Sequence, residues 1–380
     1  FALVSWARRC VYETAHTPTA FVPEAPTATP TPTPIPTPEP GARIETGDEA
    51  HFNGDWDQAL TEYAQALELT TEKEVKAAAL LGIGRTYLKN GQVQAALETL
   101  TEAAALYPDT NSLGPIYFTL GEVQETLGQP AAAAESFLRY QQLRPGLIDA
   151  YLFERIGDNH LAAQNYQAAI DSYVLALQAQ STGDNLYLSL RIADSYLVLN
   201  DPNTALVTYQ DVYSRTANDF QKAEARRKMA DIWMEQGNTE QAYPAYAEVV
   251  ENYPLAYDAY LSLVALLDAG QEVSELNRGL INYFVQQYGF SVDAFVRYLR
   301  ANPETHNDTA HYYLGLSYRN QGNYPEAIAA WREIIEEHVN DRNWANAFDE
   351  IAYTQAYFQD QPDAAIQTYL DFVDRSPLDE

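Results

Sequence analysis

Apolar residues recur at three- and four-residue spacings through most of the chain from residue 41 onward. Segments such as 80–90 and 94–106 place these residues on one side of a helix and polar residues on the other. This period is the pattern of an amphipathic α-helix that buries one face against a neighbour. The pattern therefore predicts an all-α fold over most of the chain.

The helical segments form a repeat, because small and aromatic residues return in the same order at intervals of mostly 36 or 37 residues. Each copy carries an Ala, a large residue four positions after it, and a turn-forming residue five positions before it. The alanines are Ala59, Ala96, Ala133, Ala169, Ala205, Ala242, Ala294, Ala327 and Ala365. The large residues, of which eight are aromatic, are Tyr63, Leu100, Phe137, Tyr173, Tyr209, Tyr246, Tyr298, Trp331 and Tyr369. The residues at the turn position are Gly54, Gly91, Gly128, Gln164, Asn200, Gly237, Gly289, Gly322 and Asp360.

Each copy has the features of two helices joined by a tight turn. Gly, Asn or Asp at the turn position permits a left-handed backbone conformation. A small residue twelve positions before the Ala, such as Gly157, lets the two helices approach closely, and the aromatic residue fills the wedge between neighbouring hairpins. Prolines such as Pro108, Pro145, Pro254 and Pro377 follow the second helices and stop them. One such hairpin cannot bury its apolar face alone, so successive hairpins are expected to stack.

Residues 308–339 resemble the tetratricopeptide repeat family most closely, and residues 77–108 match its pattern as well. The matching residues of the first segment are Leu314, Gly315, Tyr318, Gly322, Asn323, Tyr324, Ala327, Ile328, Trp331 and Ile334. The resemblance extends over about residues 41–377, although several copies are longer than the family's usual repeat. It implies a right-handed α-solenoid of about nine to ten helical hairpins.

One irregularity interrupts the repeat, because Ala242 and Ala294 are 52 residues apart. Residues 256–269 have the pattern of the first helix of a hairpin, but Gly270 follows and a new helix begins at about Val273. We interpret this segment as a hairpin that has lost or shortened one helix. The alternative is a boundary between two separate stacks.

Four regions follow from these patterns: an N-terminal stub (1–13), a Thr- and Pro-rich linker (14–40), regular repeats (41–255), and irregular then regular repeats (256–380). Nine of the 20 prolines lie in the linker. Proline removes backbone donors and restricts φ, so the linker is expected to be an extended polyproline II spacer, or else a disordered tail, without a packed core.

The two ends of the sequence carry weaker signals. Cys10 could be a lipid-modified cysteine, but Arg8 and Arg9 precede it where such a site has small residues, which favours an incidental thiol. The stub and spacer together favour an exported, tethered protein. No capping helix follows the last repeat, so we expect either a continuing polypeptide or a partner over Ile366, Leu370 and Val373.

Charge and cysteine content exclude several kinds of partner and site. The chain has 53 acidic against 23 basic residues and a formal net charge of -30, which repels nucleic acid phosphates and anionic lipids. One Cys excludes an internal disulfide and a cysteine-based metal site. No run of 18 apolar residues predicts a membrane-spanning helix.

The sequence predicts no catalytic, cofactor or metal site. His306 and His311 are five residues apart, the wrong offset for two ligands on one helix face, and the other histidines are scattered. No phosphate-binding glycine loop or nucleophile elbow occurs. The basic run Arg226-Arg227-Lys228 is expected to form ion pairs on a helix surface rather than a nucleic-acid patch.

The resemblance implies a binding groove, since the first helices of this family's hairpins line the concave face. Carried over to this chain, the ninth position of these helices is a carboxylate in five of the first six hairpins. The candidate partner-binding residues are Asp48, Phe52, Arg85, Phe118, Glu122, Tyr151, Asp158, Tyr187, Asp194, Arg227, Asp231 and Tyr312. An acidic face with aromatic neighbours suits a peptide of basic character, or a sugar of a cell-wall polymer. The alternative is that the carboxylates only solvate the helices.

Carboxylates that recur on one face would repel one another. Replacing Asp158 and Asp194 with Asn is therefore expected to stabilise the free protein slightly or leave its stability unchanged.

These observations predict a non-enzymatic repeat scaffold that binds a macromolecular partner in the bacterial cell envelope. One alternative comes from residues 256–338, which also resemble the superhelical region of bacterial soluble lytic transglycosylases. Under that alternative a catalytic domain would lie beyond residue 380. A second alternative, a cytoplasmic assembly factor, is disfavoured by the Thr-Pro spacer.

Overall fold

A computed structural model describes residues 39–180, 183, 185–306, 308–339 and 341–376. Nineteen α-helices and no strands occur within these residues, which confirms the all-α prediction. The expectations for the N-terminal stub, for Cys10 and for the spacer up to residue 38 lie outside the described residues, as does Pro377. None of the described helices is long and apolar enough to cross a membrane.

Eighteen of the helices form nine hairpins, and the nineteenth, α13, stands between the sixth and seventh hairpins. The helices of the first six hairpins are α1 Pro40–Asn53, α2 Trp56–Leu69, α3 Lys73–Lys89, α4 Val93–Leu106, α5 Leu113–Thr126, α6 Pro130–Leu143, α7 Asp149–Ala162, α8 Tyr166–Gln178, α9 Leu186–Val198, α10 Pro202–Arg215, α11 Asp219–Glu235 and α12 Thr239–Asn252. The remaining helices are α13 Tyr257–Asp268, α14 Glu275–Phe284, α15 Tyr288–Ala301, α16 Asp308–Asn320, α17 Tyr324–Glu337, α18 Trp344–Tyr357 and α19 Pro362–Arg375.

The turns inside the hairpins adopt the left-handed conformation at the predicted positions in eight of nine hairpins. Five of these residues are glycines, such as Gly54 with φ of 81°, where the absence of a Cβ removes the steric cost. Gln164, Asn200 and Asp360 adopt the same conformation with φ of 61°, 60° and 54°. The turn between the two helices is therefore specified locally in most copies.

The seventh hairpin shows that the predicted register was wrong by three residues. Its left-handed residue is Gln286, with φ of 63°, and the predicted turn residue Gly289 lies inside α15. The buried residues of α15 that correspond to the Ala and aromatic of other copies are Ser291 and Phe295, both 0% exposed. Phe295 packs against Gly279 of α14, whereas Tyr298 is only partly buried. The register follows this packing, because Ser291 and Ala294 are both small and the sequence alone does not separate them.

Large side chains of the second helices pack against small residues of the first helices. Gly157 faces Tyr173 so closely that a Cβ added at Gly157 would lie 2.5 Å from the Tyr173 ring. The same relationship joins Gly315 to Trp331, with a hypothetical Cβ 2.4 Å from the indole. Both aromatic side chains are completely buried, and truncating such a side chain costs about 3–5 kcal/mol. This packing explains the pairing of small and aromatic residues in the repeat.

The stack continues through α13 without a gap in the buried core. One cluster of buried residues runs from Ala223 of α11 through Leu263 and Leu266 of α13 to Ile281 of α14. Helix α13 has the role of a first helix whose second helix is absent, as the sequence predicted. Gly270, with φ of 68°, ends it.

The first helices lie on the inner side of the stack. Several neighbouring first helices approach each other closely, as α1 does α3, α3 does α5, and α11 does α13. Between α5 and α11 the first helices are joined instead by long side chains, such as the ion pairs of Arg155 with Glu125 and of Arg191 with Asp158. Within the described residues, the second helices from α2 to α12 show no comparable approach to one another. At the C-terminal end, Ile366, Leu370 and Val373 of α19 are more than half exposed.

Candidate binding face

The four aspartates at the ninth position of the first helices accept hydrogen bonds from tyrosines buried in the same hairpin. Tyr63 donates to Asp48 and Tyr173 donates to Asp158, both over 2.7 Å. Tyr209 and Tyr246 donate in the same way to Asp194 and Asp231. In each case the two residues are 15 positions apart, so the contact repeats with the hairpin.

Residue types at the two positions match across the hairpins. Where the second-helix position is Tyr in the first six hairpins, the ninth position of the first helix is Asp. Where it is Leu100 or Phe137, which have no hydroxyl, the ninth position is Arg85 or Glu122. The aspartates therefore serve first as acceptors for buried hydroxyls. Burial, followed by this contact with Asp158, raises the pKa of Tyr173 well above its ordinary value.

A second set of contacts links three of the ninth-position carboxylates, Glu122, Asp158 and Asp194, to a basic residue of the next hairpin. Arg191 forms an ion pair with Asp158, and Lys228 forms one with Asp194 over 2.7 Å. Arg155 lies 3.7 Å from Glu122 and binds Glu125 closely. We call this series from α5 to α11 the inner ladder: Glu122, Glu125, Arg155, Asp158, Arg191, Asp194 and Lys228.

Arg155 is the most highly connected residue of the inner ladder. Its Nε donates to both oxygens of Glu125, over 3.0 and 3.1 Å, and its Nη1 donates to the Tyr151 hydroxyl over 2.9 Å. The guanidinium also lies over the Phe137 ring, 4.6 Å from its centroid. Its pKa is raised, since the contacts with Glu125 outweigh the effect of burial. Arg155 is therefore a fixed cation between the third and fourth hairpins.

The ladder continues into α13 through Arg227. This side chain contacts Asp231 on its own helix and Asp258 on α13. Burial, with Asp258 and Asp194 nearby, raises the pKa of Glu224 above its ordinary value. All three residues of the basic run form ion pairs, as the sequence predicted. Arg227 and Lys228 pair with Asp258 and Asp194 on this face, and Arg226 pairs with Glu248 of α12.

The structure brings most of the predicted partner-binding residues onto this face. Tyr151 is 52% exposed beside Arg155, and the Tyr187 hydroxyl donates to Glu154 over 2.7 Å. Burial and the Glu154 contact raise the pKa of Tyr187 to about 12. Phe118 instead packs edge-to-face on Phe137, with ring centroids 5.5 Å apart, and contributes to the core.

Three other predicted residues lie towards the ends of the stack. Phe52 is 88% exposed at the end of α1, and Arg85 is exposed on α3. Tyr312 donates to Glu350 over 2.9 Å, and Arg319 pairs with the same carboxylate. These residues lie outside the continuous inner ladder.

The structure also corrects the expectation of repulsion along this face. Asp158 and Asp194 each have a tyrosine and a basic residue as partners, so their charges are largely compensated. Sequence reasoning missed Arg155 and Arg191, and it assigned Lys228 to ion pairs on a helix surface without naming Asp194 as its partner. Their intervals of 36 and 37 residues equal the repeat length, and that interval is the signal that could have found them.

A second group of functional side chains lies near the C-terminal end. His306, His311 and His338 each place a ring nitrogen within 4.8 Å of those of the other two. The five-residue offset of the first two does not separate them, because His306 lies in the turn before α16 and only His311 is on the helix. Burial, together with the two neighbouring imidazoles, lowers the pKa of His311 to about 4.

Comparisons with known proteins agree with the repeat architecture. Models of the tetratricopeptide repeat match residues 44–110, 224–256 and 309–339. No curated protein sequence matches the chain. The matches above give no support to the resemblance to lytic transglycosylases.

Two of the solved structures similar to the chain have low sequence identity to it. A crystal structure of MamA is 18% identical, covers 44% of this chain and 93% of its own, and gives a TM-score of 0.36. The apo form of the quorum sensor NprR from B. thuringiensis is 14% identical, covers 88% of this chain and 97% of its own, and gives a TM-score of 0.38. The three repeat matches and the nine stacked hairpins show that the described residues form a solenoid of tetratricopeptide-type repeats.

Proposed function

We propose that this chain is a non-catalytic scaffold whose inner ladder binds a protein segment of basic character. Tetratricopeptide repeat folds generally act as interaction scaffolds. The observation that carries the proposal is the inner ladder itself, a row of partly exposed charged groups beside the exposed Tyr151. Such a row suits an extended or helical peptide that crosses several hairpins.

The geometry of the aspartates supports a cationic ligand. Both partners of Asp158 bind its Oδ1, and both partners of Asp194 bind the Oδ1 of that residue. The Oδ2 atom of each can accept a further hydrogen bond, and the side chains remain 42% and 41% exposed. Lys or Arg side chains of a partner would supply donors of the right charge. The acidic composition of the chain would also speed the encounter with a basic partner.

The test measures binding to arrays of short peptides that differ only in basic, neutral or acidic character. The double variant Asp158→Asn with Asp194→Asn should weaken binding to basic peptides by about tenfold, and less at high salt because of screening. The control, Glu102→Gln with Glu135→Gln, removes the same charge from exposed positions on the outer helices α4 and α6. Equal losses in both double variants, or a preference for acidic peptides, would refute the proposal.

We further propose that the chain works outside the cytoplasm, in the bacterial cell envelope. The Thr- and Pro-rich composition of residues 14–40 supports this, because such a spacer suits a tethered domain. The test adds protease to intact cells and to cells whose outer envelope has been permeabilised, and measures whether the repeat region is digested. Protection in both, with digestion only after complete lysis, would show a cytoplasmic protein.

A further inference from the structure

Three histidines converge where two inter-hairpin loops meet. His306 lies in the turn between α15 and α16, His311 in the first turn of α16, and His338 directly after α17. The Nε2 atoms of His306 and His311 are 3.0 Å apart, and the three ring centroids are 4.9 to 5.8 Å from one another. Asp308 also joins the loops that carry them, because its carboxylate accepts a hydrogen bond from the backbone N–H of Asn343 over 2.6 Å.

Hydrogen bonds at the Nδ1 atoms of His306 and His338 determine which ring nitrogens face the centre of the cluster. The Nδ1 of His306 contacts the Asn302 carbonyl over 2.7 Å, and the Nδ1 of His338 contacts the Asp341 carboxylate over 2.9 Å. Carbonyl and carboxylate oxygens only accept, so both Nδ1 atoms carry a proton. In the neutral rings the Nε2 atoms therefore hold lone pairs, which are the electrons that a metal binds.

One of these lone pairs has no hydrogen-bond partner. The Nε2 of His338 is buried and unpaired among the described residues, and the side chain is 11% exposed. A buried acceptor without a partner is costly and points to a ligand that the protein chain does not supply. A cation between the three rings would bind this atom together with Nε2 of His306 and, in the tautomer that carries its proton on Nδ1, Nε2 of His311.

We propose that His306, His311 and His338 form a binding site for a divalent transition metal of the zinc type. Imidazole nitrogens favour zinc, copper, nickel or cobalt over the oxygen-seeking magnesium and calcium. Tetrahedral zinc holds nitrogens at about 2.0–2.1 Å, which places the ligands about 3.3 Å from one another. The pair at 3.0 Å is already close to this spacing, and the third nitrogen, within 4.8 Å of the other two, would need only a side-chain rotation.

The surroundings match those of known metal sites. Histidine ligands usually donate their second nitrogen to a carbonyl or a carboxylate, which orients the ring and raises its basicity. Asn302 and Asp341 fill these two roles. Three protein ligands leave the fourth position to water or to a donor from a partner. A bound metal would also tie the α15–α16 and α17–α18 loops together and stiffen the last hairpins.

The experiment uses the full chain, freed of metal with a chelator and then titrated with Zn²⁺ by calorimetry and with Co²⁺ by visible absorption. We expect one equivalent to bind, with the spectrum of a tetrahedral cobalt site and a higher melting temperature. The variants His311→Gln and His338→Gln should lose at least about 100-fold in affinity. The controls His51→Gln and His160→Gln, which lie outside the cluster, should stay within about twofold of the wild type.

A fourth variant covers the case in which the buried histidine variants fail to fold. Asp341→Asn changes a partly exposed residue and should weaken zinc binding by about 10- to 100-fold. Absence of stoichiometric binding by the wild-type chain would overturn the proposal. If His311→Gln and His338→Gln fold, zinc affinity equal to that of the wild type in these variants would also overturn the proposal. If they do not fold, wild-type zinc affinity in Asp341→Asn would overturn it.

Discussion

The Tyr173 hydroxyl of α8 donates a 2.7 Å hydrogen bond to Asp158 of α7, and the same oxygen of Asp158 binds Arg191 of the next hairpin. One carboxylate thus joins the two helices of a hairpin and also joins that hairpin to its neighbour. The arrangement returns at Tyr209, Asp194 and Lys228. The aspartates of the inner ladder therefore both stabilise the fold and give this face its negative charge.

The Tyr173–Asp158 contact should be measurable as a coupling between two substitutions. Tyr173→Phe and Asp158→Ala each remove the bond, and their double-mutant cycle should give a coupling of about 1 kcal/mol. The value is modest because Asp158 is 42% exposed, so water replaces part of the lost contact. Urea denaturation of the four proteins provides the free energies. Strictly additive losses would contradict this prediction.

Close packing at Gly157 predicts a large effect of a single methyl group. Gly157→Ala would place a Cβ 2.5 Å from the Tyr173 ring, and should lower the free energy of unfolding by about 1–3 kcal/mol. Gly41 on α1 is the matched control, because no atom lies within 4 Å of a Cβ added there. Gly41→Ala should be neutral or stabilise by up to about 1 kcal/mol. Thermal melts of both variants check the difference.

The corrected register of the seventh hairpin makes a separate prediction. Phe295→Ala removes a completely buried ring and should cost about 3–5 kcal/mol, as for other core aromatics. Tyr298→Ala, three residues later and only partly buried, should cost clearly less. Hydrogen exchange of α14 and α15 would localise the effect. A larger loss for the Tyr298 variant would restore the register predicted from sequence.

Because the inner ladder contains ion pairs, neutralising its aspartates should destabilise the free protein, whereas the sequence alone predicted slight stabilisation or no change. Asp158→Asn and Asp194→Asn remove the pairs with Arg191 and Lys228, so each should destabilise the free protein by up to about 1 kcal/mol. The loss should shrink at high salt, because screening weakens the pairs in the wild type. Stabilisation by either change at low salt would show that repulsion between carboxylates dominates after all.

Burial of His160 predicts a dependence of stability on pH. Burial lowers the pKa of this imidazole below its ordinary value of 6.5, so the folded chain resists protonation there. Once the pH falls below 6.5, the unfolded chain binds a proton that the folded chain does not, and stability decreases with falling pH. His160→Gln should flatten this decrease, which chemical denaturation at several pH values between about 7 and 5 would show. An unchanged slope in the variant would contradict the assignment.

The sequence by itself determined the helices, the turns within most hairpins and the stacking of the repeats. These features depend on local rules. Apolar residues at helical spacing build each helix, and a left-handed residue such as Gly54 or Asn200 ends it. A small residue opposite an aromatic one, as Gly157 and Tyr173 are, recurs often enough to reveal the hairpin.

Tertiary structure alone decided what depends on contacts between hairpins. Ser291 and Ala294 are equally small, so only the packing of Phe295 on Gly279 selected the register. The sequence located the aspartates of the inner face, but their partners Arg191 and Lys228 lie 33 and 34 residues away and reach them because the hairpins stack. His338 likewise meets His306 and His311 because two inter-hairpin loops end at the same place. The spacing of residues within one hairpin carries no record of such contacts, since the geometry of the stack sets which residues of neighbouring hairpins face each other.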